Sequence, residues 1–356
     1  MRAALLVPAP FDTISGGYGY DRAIVAGLRE AGHRVDVVEL AGRHPLPDDA
    51  AHVAARAAWE RLADDATPVI DGLCLPSFAP IVDALAQRRC VGLIHHPTAL
   101  ETGHDETTRD ALRATERAML PLLARIVVTS APTAERLVAE FGVARDCVTV
   151  VTPGTADAPR AIGSGGPGCA ILAVGVVTPR KGHDVLLRAL ALLPDLDWSL
   201  TVAGFARDRA HADTLESLAD ELGIAPRVSF VGEVVADALE ALWRRADLFA
   251  LATRHEGYGM AVAEALKRGL PVAVTDGGAV ASLVTPETGV VAPVGDVAAL
   301  SRALRRLIFD AVLRRDMGDA AWRAGRDLPD WTAQARAFAR AALAPKAMIA
   351  EHPPPA

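Results

Sequence analysis

Aromatic residues are scarce: Phe, Tyr and Trp together make up 4% of the 356 residues. Stacking platforms for single-stranded nucleic acid need several of them, which argues against that role. The cores must therefore be built mainly from Ala, Val and Leu. Positive charge is also in deficit. The 37 Lys and Arg against 44 Asp and Glu leave a formal net charge of −7. No global attraction to nucleic acid or anionic lipid follows, although a local basic patch and a transient membrane contact stay open. Cys74, Cys90, Cys147 and Cys169 stand far apart, with no CxxC or Cys/His cluster. That argues against structural zinc and fits a reducing cytoplasm. No apolar run reaches about 18 residues, so no transmembrane helix is expected. The opening MRAALLVPAPF is too short and too broken by proline for a signal peptide.

What is present is an ordinary globular balance, 51% hydrophobic and 23% charged. At roughly 150 residues per domain, the chain has length for two cores. Short apolar runs alternate with helical patterns, the signature of parallel sheets with helices on both faces. Ala3 to Val7, a Gly-rich turn, a helix ending near Gly32 and Val35 to Val38 form a first β-α-β unit. The pattern restarts at Ala170 to Val174, followed by a Pro-Arg-Lys-Gly turn and a helix from His183. Two Rossmann-like domains are expected, 1–155 and 169–329, with a Gly/Pro/Ala-rich linker at 156–168. A helix at 330–345 ends the second domain or crosses back to the first, and 346–356 reads as a flexible tail.

The segment EGYGMAVAE, Glu256 to Glu264, carries the most chemistry. Gly257 and Gly259 permit a sharp turn, and a helix starting near Met260 offers free amides and a positive dipole end to a diphosphate. Eight residues of helix would separate the two carboxylates by about 12 Å, roughly the span from a sugar ring to a ribose across a diphosphate. The plain alternative is an amphipathic helix with two surface glutamates. Lys181 follows the strand ending at Gly175 and precedes a helix, a place where positive charge stabilises a leaving diphosphate. A solvated Arg-Lys turn is its alternative. Gly16, Gly17 and Gly19 read as a loop between the first strand and its helix. His95 and His96 follow the run VGLI at the C-terminal end of an expected parallel strand, where open α/β sheets bind ligands. Glu101 and His104 lie in the same loop. Arg109, Arg113 and Arg117 recur every four residues, as a solvated stripe mixed with Glu116 or as a face for an anionic acceptor or membrane surface. Asp276 with Gly277 and Gly278 reads as a turn or as a loop beside the ligand.

These segments resemble the family-four retaining glycosyltransferases of the GT-B fold: GGYGYDRAIVAGLREAGHRVDVV from Gly16, VGVVTPRKGHDVLLRAL from Val174, ADLFALATRHEGYGMAVAEALKRGLPVAVTDGGA from Ala246, and the Trp331 helix. The resemblance implies an α/β, GT-B architecture of two Rossmann-like domains with a central cleft. It implies transfer of a sugar from a nucleotide-diphosphate-sugar to an acceptor hydroxyl, with retention and without metal or other cofactor. The acceptor would be a small molecule, a glycan or a lipid-linked sugar. Glu256 would hold donor-sugar hydroxyls and Glu264 the ribose, with Gly257, Tyr258, Gly259 and Met260 on the sugar and diphosphate. Gly16 and Gly17 would touch the donor phosphate or acceptor, His95 would line the sugar, and His96 and Glu101 would face the acceptor. The family's Arg after the strand glycine is replaced here by Val176, which makes Arg180 the candidate substitute beside Lys181. A nucleotide-sugar epimerase, a phosphorylase and a catalytically inactive sugar-nucleotide binder are the alternatives on the same fold.

Overall fold

The computed structural model describes residues 1–101, 104–206 and 208–343. They form two compact units, Met1–Gly154 with the helix from Trp331, and Thr155–Asp330. The flexible tail expected at 346–356, and the last two residues of the expected 330–345 helix, lie outside the described residues.

The first unit is a six-stranded parallel sheet. Its strands are β1 (Arg2–Pro8), β2 (Arg34–Leu40), β3 (Ala66–Asp71), β4 (Val91–Ile94), β5 (Arg125–Val128) and β6 (Val148–Val150), in the order β2-β1-β3-β4-β5-β6. Strand β1 reads RAALLVP and is buried from its second residue onward, as a central parallel strand covered on both faces must be. The pleat sends alternate side chains to opposite layers. Ala3, Leu5 and Val7 join Ile24, Val25 and Leu28 of helix α1 (Gly16–Glu30). Leu6 joins Ile70, Phe78 and Leu85 on the other side.

The other helices of this unit are α2 (Asp49–Arg61), α3 (Val82–Gln87), α4 (Glu106–Met119) and α5 (Ala131–Phe141). The end of the chain returns to it. Ala335 and Phe338 of the helix Trp331–Phe338 pack in the α1 layer, and a Cβ on Gly27 would lie 2.5 Å from the Ala335 Cβ. Only glycine permits that approach of two helices.

The second unit repeats the plan. Strands β7 (Cys169–Val174), β8 (Trp198–Ala203), β9 (Val228–Gly232), β10 (Leu248–Leu251), β11 (Val272–Thr275) and β12 (Gly289–Ala292) stack in the order β12-β11-β10-β7-β8-β9. This is the doubly wound order, which reverses between β7 and β10. The helices are α6 (His183–Ala191), α7 (Arg209–Glu221), α8 (Ala236–Arg245), α9 (Met260–Lys267), α10 (Val297–Phe309) and α11 (Ala311–Arg326), and the Trp331–Phe338 helix is α12. Ile171 and Ala173 face a layer with Leu186, Leu187 and Leu190, while Leu172 faces Trp243 and Val262.

Three local expectations are corrected. The stretch expected as a linker runs along the second unit. Ala161 donates its amide to the Arg268 carbonyl at 2.9 Å and Ile162 to the Arg244 carbonyl at 2.9 Å, so its backbone groups find partners there. Gly16, Gly17 and Gly19 are the opening turns of α1 rather than a loop. Ser15 caps that helix, accepting the Tyr18 amide at 3.4 Å, and the cap outweighs the poor helix propensity of glycine. Glu116 is not part of a solvated stripe. It is 4% exposed, on the inward face of α4 with Leu112 and Met119, and its carboxylate accepts from the amides of Thr98 at 2.6 Å and Ala99 at 3.1 Å.

Candidate active site

In an open α/β sheet, a ligand site falls beyond the carboxyl ends of the strands where the strand order reverses. In the second unit that point lies between β7 and β10. The chain leaving β7 passes Gly175 and returns through the turn Pro179–Lys181. The chain leaving β10 runs from Thr253 to the start of α9. The two loops are tied together: the Arg254 amide donates to the Arg180 carbonyl at 2.8 Å, and Arg254 pairs with Asp184 at 2.9 Å.

This arrangement brings Glu256, Lys181 and Arg180 together. Lys181 Nζ donates to Glu256 Oε1 at 2.6 Å, Arg180 lies 3.3 Å from the same oxygen, and the Thr253 hydroxyl donates to it at 3.2 Å. Arg180 also donates to the His255 carbonyl at 2.6 Å. Glu256 is 8% exposed. Burial alone would raise its carboxyl, but the charges of Lys181 and Arg180 outweigh it and hold the group below its ordinary value. Gly175 adopts φ +151°, and a Cβ there would stand 3.1 Å from Lys181 Cε, so the glycine makes room for the lysine. Gly277 and Gly278, expected as a turn or as a loop beside the ligand, press on the other side. A Cβ on Gly278 would sit 2.3 Å from the Glu256 carbonyl oxygen, and the Gly277 carbonyl accepts the Glu256 amide at 2.9 Å. Asp276 directly follows β11, and its carboxylate accepts the Val294 amide at 2.8 Å.

Two helices point their first turns into this region, and neither has a side-chain cap. Helix α6 starts after Gly182 at φ +65°, and α9 after Gly259 at φ +106°. Elsewhere in this unit α8 also starts without a side-chain cap, whereas Asp208, Asp296 and Asp310 cap α7, α10 and α11 with carboxylates. Carboxylate caps would satisfy the first amides and repel an anion; glycine leaves the amides and the dipole for a ligand. Gly257 is half-buried, Tyr258 buried, and Met260 is the first residue of α9. Glu264 lies one turn further on, half-buried, with burial raising its carboxyl above the ordinary value.

In the first unit the corresponding strand ends hold a second cluster. His95, 18% exposed, follows β4, and its Nε2 is 3.0 Å from Asp21 and 3.5 Å from Asp71. Gly17 lies beneath it: a Cβ there would be 3.4 Å from the imidazole. His96 Nε2 is 2.8 Å from Glu101, and His104 is half-buried just before α4. Neither Asp21 nor Asp71 is among the residues picked out by motif. Each is 2% exposed. Asp21 shares the apolar stripe of Ile24, Val25 and Leu28, and a carboxylate on a buried stripe is a legible signal of a special environment. Asp21, Asp71 and His95 are also the grouping of metal-ligating side chains found among the described residues, their ligand atoms lying within 4.8 Å of one another.

Residues 159–323 match the family described as glycosyl transferases group 1. A D-inositol 3-phosphate glycosyltransferase of Mycolicibacterium gilvum is 40% identical over 137 residues, 35% of this chain and 31% of that protein. The lipopolysaccharide core biosynthesis mannosyltransferase LpcC of Rhizobium leguminosarum is 36% identical over 154 residues, 42% of this chain and 43% of that protein. The chain thus matches less than half the length of these relatives. Among solved structures, sucrose-phosphate synthase from Thermosynechococcus elongatus superposes with a TM-score of 0.80 at 20% identity, covering 95% of this chain and 98% of that one. Anabaena HepE in complex with UDP and glucose superposes at 0.74 and 17% identity, covering 96% and 98%. The fold is GT-B, as the resemblance read from the sequence implies. No helix among the described residues is long and apolar enough to cross a membrane.

Proposed function

We propose that the protein is a retaining glycosyltransferase that moves a sugar from a nucleotide-diphosphate-sugar to an acceptor hydroxyl without a metal ion. The observation that carries this reading is the Lys181–Glu256–Arg180 cluster beside the uncapped start of α9. In this reading the second unit binds the donor. The first amides of α9 and the cations Lys181 and Arg180 take the diphosphate and stabilise it as it leaves. Glu256 and the backbone of Gly257 and Tyr258 hold sugar hydroxyls, and Glu264 holds the ribose.

Arg180 takes the part that an arginine at Val176 would otherwise play. Its guanidinium reaches the Glu256 carboxylate, so the catalytically inactive alternative loses its main motive. The first unit binds the acceptor, with Gly16 and Gly17 at the start of α1, His95 offering a proton or hydrogen bond, and His96 with Glu101 on the acceptor. Among the described residues no side chain presents itself as a covalent nucleophile, so a same-face attack assisted by the leaving phosphate is the mechanism this arrangement favours. That relatives and structural neighbours include glycosyltransferases, and that another neighbour was solved with UDP and glucose, supports the donor class.

The test is direct. Wild-type protein is titrated calorimetrically with UDP-, GDP- and ADP-sugars, and the anomeric configuration of the product is followed by proton NMR on a panel of acceptors. Binding of a nucleotide-sugar and transfer with retained configuration are expected. No binding of any of the three donor classes, or an inverted product, overturns the proposal, and an epimerised donor without acceptor assigns the epimerase reading instead.

A further inference from the structure

The His95 ring is held by neighbours from two elements of the first unit. Its imidazole leans with Nε2 toward Asp21 at 3.0 Å and Asp71 at 3.5 Å, while Nδ1 makes no hydrogen bond to a described residue. The ring is wedged between Gly17 and the edge of Tyr20, whose ring centroid stands 5.3 Å away at an interplanar angle of 83°. Tyr20 is itself anchored, donating its hydroxyl to the Val151 carbonyl at 3.1 Å. The ring is thus held through Nε2 and between Gly17 and Tyr20, with Nδ1 left over.

We propose that Asp21 and Asp71 are positioning residues: they hold the His95 ring through Nε2 and so present Nδ1 as the group that meets an oxygen of the bound sugar or acceptor. The assignment of a ligand to Nδ1 rests on the function proposed above; the hold on the ring does not. The titratable groups facing the imidazole are Asp21 and Tyr20 from α1 and Asp71 from the end of β3, with the Cys74 thiol bonded to the Leu6 carbonyl nearby. Burial and the neighbouring Asp21 push Asp71 up to about 7. Burial works against a charged imidazole, yet the Asp21 charge and hydrogen bond, with Asp71 behind them, hold His95 above the ordinary histidine value. The device supplies a ring of fixed orientation whose charge is set from behind, away from the ligand.

The experiment uses the full chain labelled with 15N-histidine, without any sugar nucleotide. The wild type is expected to show the neutral His95 ring protonated at Nε2. In Asp21→Asn the His95 titration midpoint is expected to fall by about one pH unit or more. Asp71→Asn is expected to move it in the same direction, and it serves as the second variant if Asp21→Asn does not fold. A neutral ring protonated at Nδ1, or a midpoint unchanged in both variants, overturns the proposal. So does a saturable shift of the His95 resonances alone at micromolar Zn2+, which would assign the cluster to a metal ion. The readout needs no donor, so failure of the glycosyltransferase reading and failure of this one are separate results.

Discussion

His183 makes the sharpest physical prediction. It is the first residue of α6, 2% exposed, and neither ring nitrogen finds a partner among the described residues. Burial first, then the positive charge of Lys181 and the nearby His211, push its pKa from 6.5 down to about 3. The folded chain therefore holds this ring neutral. The unfolded chain protonates it as pH falls through 6.5, so stability is intact above that value and is lost progressively down to about 3. Between pH 7 and pH 5 this one group removes about 2 kcal/mol. In His183→Leu the side chain stays apolar and of similar size but no longer titrates. Urea unfolding of the second unit, followed at both pH values, is expected to lose about 2 kcal/mol less in the variant than in the wild type. An equal loss in both proteins refutes the reasoning, as does a wild-type His183 ring resonance that titrates near 6.5.

Other consequences follow from the same distances. Lys181→Met and Glu256→Gln are each expected to cut transfer by about 100-fold or more while circular dichroism stays native; wild-type rates in either would remove the cluster from the chemistry. Gly182→Ala places a Cβ 2.0 Å from the Ala252 carbonyl oxygen at φ +65°. It should lower the melting temperature by on the order of 5 °C, and an unchanged thermogram would contradict that contact. Glu116→Ala strands the buried amides of Thr98 and Ala99, and a loss of about 2–4 kcal/mol is expected in denaturant unfolding, against less than about 0.5 kcal/mol for a surface glutamate.

The strands were legible because parallel strands covered on both faces are written in uninterrupted apolar runs, as in VGLI of β4 and LFAL at β10. The start of α9 was legible from Gly259 and the apolar spacing after it. The Gly16–Gly19 segment was not. Glycine disfavours helix by propensity, and the Ser15 cap overrides that preference. Nor was the stretch after Thr155, whose Gly- and Pro-rich composition marks irregular backbone but says nothing of the Arg268 and Arg244 carbonyls that receive it. Glu116 was missed because a four-residue arginine spacing drew the eye to the opposite face of α4. Its spacing with Leu112 and Met119 already placed it inward.

The charge balance of the Glu256 cluster explains why a carboxylate stands in a place proposed for an anion. Lys181 and Arg180 against Glu256 leave one formal positive charge, set beside the dipole ends of α6 and α9. Without Glu256 the two cations would crowd each other in a largely buried space and would clamp any phosphate at the cost of release. With it, Lys181 is held in place at 2.6 Å before a ligand arrives, and its remaining ammonium hydrogens stay available for a phosphate oxygen. Glu256 in turn accepts from three donors through Oε1, which leaves Oε2 for a sugar hydroxyl. On the proposed function, one side chain would thus orient the cation that meets the leaving group and face the sugar that stays. Charge reversal at Glu256 is therefore expected to damage both steps: Glu256→Lys should weaken nucleotide-sugar binding as well as transfer, whereas Glu256→Gln should retain most of the binding and lose rate. Calorimetry on both variants separates the two, and equal affinities for the donor would show that the carboxylate does not preorganise the cations at all.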